Sequence, residues 1–195
     1  MTELILASAS PRRKELMETA GLACTVIPAA GEEKCADLSP EETVRVLARA
    51  KAEEIRELVT HGARAGEFQK PIVIGADTVV SLEGRIFGKP RDRADAARML
   101  GQLSGRTHEV YTGVAVLSPD EEILFAERTE VDVETLSAEE IEAYLATGEA
   151  DDKAGAYGIQ GRFGIHVTGI RGDYANVVGL PVSRLYRTLR DHDLL

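Results

Sequence analysis

The sequence predicts a mixed α/β fold, in which helices flank a sheet that holds both parallel and antiparallel pairs. Three observations carry this. Segments with helical spacing are scattered among strand-like runs rather than grouped at one end of the chain. Two long strand-like runs, HEVYTGVAVL and EILFAERTEVDVETL, are joined by the turn-forming SPDE. They read as an antiparallel pair, which a purely parallel doubly wound sheet lacks. Finally, the 195 residues contain no internal repeat, low-complexity tract or linker, so one domain over residues 1–195 with a sizeable core is expected.

Each element follows from local chemistry. Residues 3–8 read as a buried strand and 11–20 as a helix, with Ser10 as its N-cap, Pro11 at the first helical position and Gly21 as its stop. Leu16, Met17 and Ala20 of that helix point to the core. CTVIP is the second strand, and residues 29–39 form a polar loop. Ser39, Pro40 and Glu42 then start a long helix, to about residue 59, with a capping box. PIVIGADTVV reads as a strand that breaks around Gly75 to Thr78. GRIFGKP is a further strand piece before a helix over about 93–101 that Asp92 can cap. After the antiparallel pair, Ser137 and Glu140 frame another capping box for a helix ending near Gly148. RFGIHVTGI gives a late strand, and a last helix begins near Pro181.

Composition excludes several classes of function. A formal charge of −10 argues against broad binding to nucleic acid or to an acidic membrane. An anionic ligand therefore needs a local cationic pocket or a metal. No apolar run approaches the ~20 residues that span a bilayer, and the N-terminus lacks a basic segment followed by a long apolar one. A soluble cytoplasmic protein is expected. Cys24 and Cys35 belong to no CxxC or Cys/His cluster, so neither a disulfide framework nor a zinc site is indicated. His61, His108, His166 and His192 show no metal-ligand spacing and receive no catalytic role.

Four stretches carry chemistry. In LILASASPRRKEL a strand runs through small residues, Ser8 among them, into a helix start bearing Arg12, Arg13 and Lys14. Helix starts are already partly positive, so cations are misplaced there unless they face an anion or pair with acidic neighbours. A strand, a short turn and a helix N-terminus form a natural anion site, and arginines add charge-assisted bonds to phosphate oxygens. Lys51 interrupts an apolar helical stripe of Val44, Leu47, Ile55 and Leu58; it either snorkels to the surface or meets an anionic partner. IVIGADTVV places Asp77 and Thr78 just after a buried run, and GKP adds Lys89. Asp77 and Glu33 are candidate oxygen ligands for Mg²⁺ or Mn²⁺. The Gly-rich DDKAGAYGIQG lacks the spacing of a P-loop or dinucleotide fingerprint. It is either a surface turn or a base pocket in which the Gln160 amide, donor and acceptor together, pairs with the N3–H and O4 edge of uracil or thymine; a flipped amide would suit cytosine as well.

Eight ordered blocks, LASASPRR, GEE, RAKA, GADTVV, GKP, LSGRTHEVYTGVAV, DKAGAYGIQG and NVVGLP, resemble the Maf family of nucleoside triphosphate pyrophosphatases from about residue 4 to 186. The resemblance implies an elongated mixed α/β fold similar to inosine triphosphate pyrophosphatases, with two lobes around a cleft, often dimeric. It also implies hydrolysis of a nucleoside triphosphate to the monophosphate and pyrophosphate with a divalent metal, and a branch that prefers dTTP and UTP. On that pattern Asp77 is the proton acceptor, Arg12, Thr78 and Gln160 set substrate preference, and Glu33, Lys51 and Lys89 match other polar site positions. Ala9 departs from the family's usual Gly in the first block. The alternatives are a nucleotidyltransferase, which would transfer rather than hydrolyse, and a noncatalytic nucleotide-binding regulator of septum formation.

Overall fold

A computed structural model describes residues 3–31 and 38–195. Its described residues form a mixed sheet of seven strands, β1 (Glu3–Ala7), β2 (Thr25–Val26), β3 (Pro71–Leu82), β4 (Arg85–Phe87), β5 (Thr107–Leu117), β6 (Glu122–Val133) and β7 (Val167–Arg171). The order is β2-β1-β3-β5-β6-β7, with β4 also on β3. β1 pairs in parallel with β2 and β3, and every other pair is antiparallel. Helices α1 (Pro11–Thr19), α2 (Pro40–Thr60), α3 (Arg93–Leu103), α4 (Ala138–Leu145), α5 (Tyr174–Val178) and α6 (Val182–Asp191) flank it. None of these helices is long and apolar enough to cross a membrane. The mixed α/β class read from the sequence is the class of the protein.

Strand alternation divides the core between the two faces of the sheet. Ala48, Ala52, Ile55 and Val59 of α2 pack on Ile5, Val73 and Leu117. On the opposite face Met17 of α1 with Leu185 and Leu189 of α6 cover Leu6, Ile74 and Val116. A third cluster, with α3 and α4 around Leu100, Tyr144 and Phe163, closes the far half of β3 through Val80 and Leu82. α2 rests directly on the sheet because two neighbouring strands offer it glycine. A Cβ at Gly75 would lie 2.2 Å from the Ala48 carbonyl oxygen, and one at Gly113 would lie 2.2 Å from that of Val44.

The predicted capping boxes both form, at Ser39 with Glu42 and at Ser137 with Glu140, and Asp92 caps α3 through the Asp95 N–H. Three local readings are corrected, and one short helix is added. Ser10 occupies the N-cap of α1 without a side-chain cap, and its N–H donates to Ser8 Oγ instead. RFGIHVTGI is a strand only from Val167, since Arg162–His166 turns as a 3₁₀ segment that buries Phe163 against Tyr144 and Tyr157. The five-residue α5, capped by Asp173, is too short to show a helical period. And β3 does not break at Gly75; it continues unbroken for twelve residues to Leu82. Glu83 and Gly84, both left-handed at φ 52° and 77°, then turn the chain directly back into β4, the geometry of a two-residue hairpin.

Candidate active site

What changes along β3 is its pairing on one edge. On one edge β1 pairs with it only as far as Gly75, and β4 reaches it only from Val80. On the other edge β5 pairs continuously from Val73 to Ser81. Ala76 to Val79 therefore lie between two short partners, and a cleft of about 610 Å³ opens there. Its walls include Ser8, Arg12, Arg13, Lys51, Asp77, Thr78, Lys89 and Gln160, every candidate residue but Glu33, which lies outside the described residues.

Alternation sends Asp77 and Thr78 to opposite faces of the strand. Asp77 turns toward α2, as Gly75 does, and Lys51 Nζ donates to its Oδ1 at 2.6 Å. Lys51 does not snorkel away: its side chain is 19% exposed and that of Asp77 is 9%. The glycine contacts that let α2 approach also set this distance, because Ala48 and Lys51 lie one helical turn apart. Thr78 faces the α1 side and meets Arg13, whose Nη2 donates to Thr78 Oγ1 at 3.0 Å, Nη1 to Ser8 Oγ at 3.1 Å and Nε to the Gly179 carbonyl at 2.7 Å. Arg13 thus braces three segments while carrying its charge to the cleft wall. Arg12 approaches Asp152 only at 3.9 Å, a partly exposed pairing worth little by itself. Lys14 turns outward to pair with Glu18 and does not line the cleft.

The DDKAGAYGIQG segment forms the remaining wall. Gly155, left-handed at φ 69°, donates its N–H to the Gly88 carbonyl at 3.0 Å, and a Cβ there would press 2.9 Å from the Val80 side chain. That packing ties the segment to β3 and to the GKP stretch, and it brings Gln160 to the rim. Among the described residues the cleft presents five cationic side chains, Arg12, Arg13, Lys51, Lys89 and Lys153, against the carboxylates of Asp77 and Asp152. In a chain of formal charge −10 this is a focused cationic pocket suited to a polyanion. No group of three or more His, Cys, Asp or Glu able to cage a metal occurs among the described residues.

Sequence reasoning missed Asp152 and Lys153, which stand beside Gln160 in the same Gly-rich block, and it left NVVGLP without a task. In the fold, NVVGLP supplies the Gly179 carbonyl for Arg13 and buries Asn176, whose Nδ2 donates to the Val110 carbonyl and Thr129 Oγ1. His108 keeps no catalytic role but is a buried neighbour of the cleft wall. This residue is 1% exposed, its Nε2 lies 2.7 Å from the hydroxyl of Tyr157 in the cleft wall, and burial lowers its pKa from 6.5 to about 4.

That shift makes stability depend on pH. Between pH 6.5 and about 4 the unfolded chain binds a proton at His108 that the folded chain does not, so the contribution is complete above 6.5 and disappears as pH falls toward 4. Its ceiling is about 3 kcal/mol, from ~1.4 kcal/mol per pKa unit. Urea midpoints between pH 7.5 and 4 should fall more steeply for the protein than for His108→Phe; parallel slopes would show that His108 titrates normally.

A family model described as Maf-like protein matches residues 3–192. The dTTP/UTP pyrophosphatase of Agathobacter rectalis is 52% identical over 199 residues, covering 97% of this chain and 97% of that protein. Its counterpart in Bacillus cytotoxicus, also named dTTP/UTP pyrophosphatase, is 50% identical over 194 residues, covering 99% of this chain and 97% of that protein. The Bacillus anthracis protein of the same name is 49% identical over 195 residues, which is 100% of this chain and 97% of its own.

Proposed function

The chain belongs to the Maf-like protein family, and from that premise we infer that it is a nucleoside triphosphate pyrophosphatase hydrolysing dTTP and UTP to the monophosphate and pyrophosphate. One observation supports it most: a nearly buried carboxylate, Asp77, is held by Lys51 at 2.6 Å in a cleft otherwise rich in cations. The carboxylate takes the proton of a water as its oxygen attacks the α-phosphorus. The α–β bridging bond breaks, and the bridging oxygen leaves with pyrophosphate. Arg12 and Lys89 bind the departing phosphates, where fixed positive charge stabilises the growing negative charge. Lys51 orients Asp77, and Arg13 is braced in the cleft wall by Ser8, Thr78 and Gly179.

A divalent cation fits this donor set. Mg²⁺ and Mn²⁺ are usually held by one or two carboxylates, with waters and substrate phosphates completing the shell, rather than by an all-protein cage. Asp77 and Glu33 are the residues that would hold it. When bound, it supplies charge neutralisation of the triphosphate. A cytoplasmic location and a homodimeric state extend the same reading.

In the same cleft Gln160 pairs with the pyrimidine edge. The test is kcat/KM across dTTP, UTP, CTP, ATP and GTP, with monophosphate and pyrophosphate measured as products and no second substrate present. Hydrolysis of dTTP and UTP at comparable rates is expected, and Gln160→Ala should lower those two values about 100-fold while sparing a poor substrate such as GTP. A purine preference, or equal loss on every base, would remove Gln160 as the base reader; binding without turnover would instead indicate a regulator.

A further inference from the structure

Thr78 lines the cleft, yet its hydroxyl is not free to choose its hydrogen-bonding sense. A hydroxyl has one proton and two lone pairs. The side chain of Thr112, opposite Thr78 on β5 and wholly buried, donates its proton to the Asn176 carbonyl at 3.0 Å. The 2.9 Å contact between Thr112 Oγ1 and Thr78 Oγ1 must then take its proton from Thr78, since otherwise two lone pairs would face each other. Thr78's other proton acceptor within the protein is the Gly179 carbonyl, at the longer distance of 3.4 Å. Either way the proton stays inside the protein. Arg13 Nη2 occupies one lone pair at 3.0 Å. What Thr78 offers the cleft is a single acceptor.

We propose that Thr112 and the Asn176 carbonyl fix Thr78 as an acceptor, so that the site selects pyrimidines carrying a proton on N3. Uracil and thymine present N3–H to such a group, whereas cytosine presents a bare N3 and meets lone pair with lone pair. Gln160 cannot make this distinction alone, because its amide can flip. Thr112 is therefore a positioning residue for base specificity, one hydrogen bond removed from the residue that meets the substrate. The inference rests on the dTTP/UTP reading of this cleft and adds to it the reason cytosine is refused.

The experiment compares UTP with CTP in wild type, Thr112→Val and Thr112→Ser. The wild type should favour UTP by roughly 100-fold or more, the scale for a buried polar group left unmatched. Thr112→Val keeps the shape and removes the acceptor. Among the described residues the Thr78 proton is then left with the 3.4 Å contact to Gly179, and it can turn to cytosine N3. The UTP-to-CTP ratio of kcat/KM should drop by at least about 10-fold, partly through a rise in the CTP value, while Thr112→Ser keeps the wild-type ratio. If the valine variant does not fold, Thr112→Ala removes the same acceptor and should shift the ratio likewise. A purely structural Thr112 lowers both substrates together, and an unchanged ratio in the folded variants overturns the proposal. A wild type that hydrolyses UTP and CTP equally fails earlier, since it removes the dTTP/UTP reading itself.

Discussion

Asp77→Asn is expected to lower kcat for dTTP by at least about 100-fold, the scale associated with losing a positioned proton acceptor, while the protein stays folded. The amide has the shape of the carboxylate and leaves Lys51 an oxygen to donate to, and the cleft gives the ammonium access to water. It cannot take a proton from water at neutral pH. Pyrophosphate release at saturating substrate, with a thermal melt of the same preparation, checks both halves. Near-normal turnover would exclude Asp77 from the reaction, and collapse of the melt would make the Lys51–Asp77 pair a structural element first.

Two residues earlier on the same strand the effect reverses in kind. Gly75→Ala adds one methyl group where the Ala48 carbonyl oxygen sits 2.2 Å away and Ala52 2.9 Å away, both on α2. Backbone cannot swing aside as a side chain tip can. The helix must lift, and a loss of about 3 kcal/mol or more is expected, at the upper end of overpacking costs. Urea unfolding reads it directly. Gly101→Ala, on α3 with nothing within 4 Å of the new methyl, is the control and should be neutral or slightly stabilising. A Gly75→Ala midpoint equal to wild type would mean that α2 is not seated as tightly as the glycines indicate.

The contrast between these neighbours explains what the sequence could show. Periodicity and capping residues announced α2, α3 and α4, since those signals are local, and the Ser39–Glu42 and Ser137–Glu140 boxes sit where the sequence places them. The mixed sheet was legible from one long hairpin. A strand that continues while one of its neighbours stops was not, because partner length is a property of the whole sheet; the change of character at Gly75 to Thr78 was visible, but it looked like a break in the strand. Lys51 stood out as a charge in an apolar stripe. Its partner could not be named, being 26 residues away on another element. Thr112 and Asn176 lie in two of the resembling blocks but gave no chemical signal, as threonine in a strand and asparagine in a turn-rich segment are ordinary, and only burial turns the Thr112 hydroxyl and the Asn176 backbone carbonyl into a fixed relay.

The left-handed pair Glu83–Gly84 works as a ruler for the cleft. With no slack in a two-residue turn, β4 is registered on β3 so that Phe87 falls opposite Val80 and Gly88 and Lys89 leave the sheet immediately afterwards. Each pair of residues by which β4 ran further would cover roughly 7 Å more of β3, at ~3.3 Å per residue, and four residues are all that separate it from β1. Aperture is thereby uncoupled from the Asp77–Lys51 pair, while Lys89 moves with β4. Lengthening, shortening or bulging this hairpin would widen or narrow the opening, with Asp77, Lys51 and the strand that carries the carboxylate left untouched.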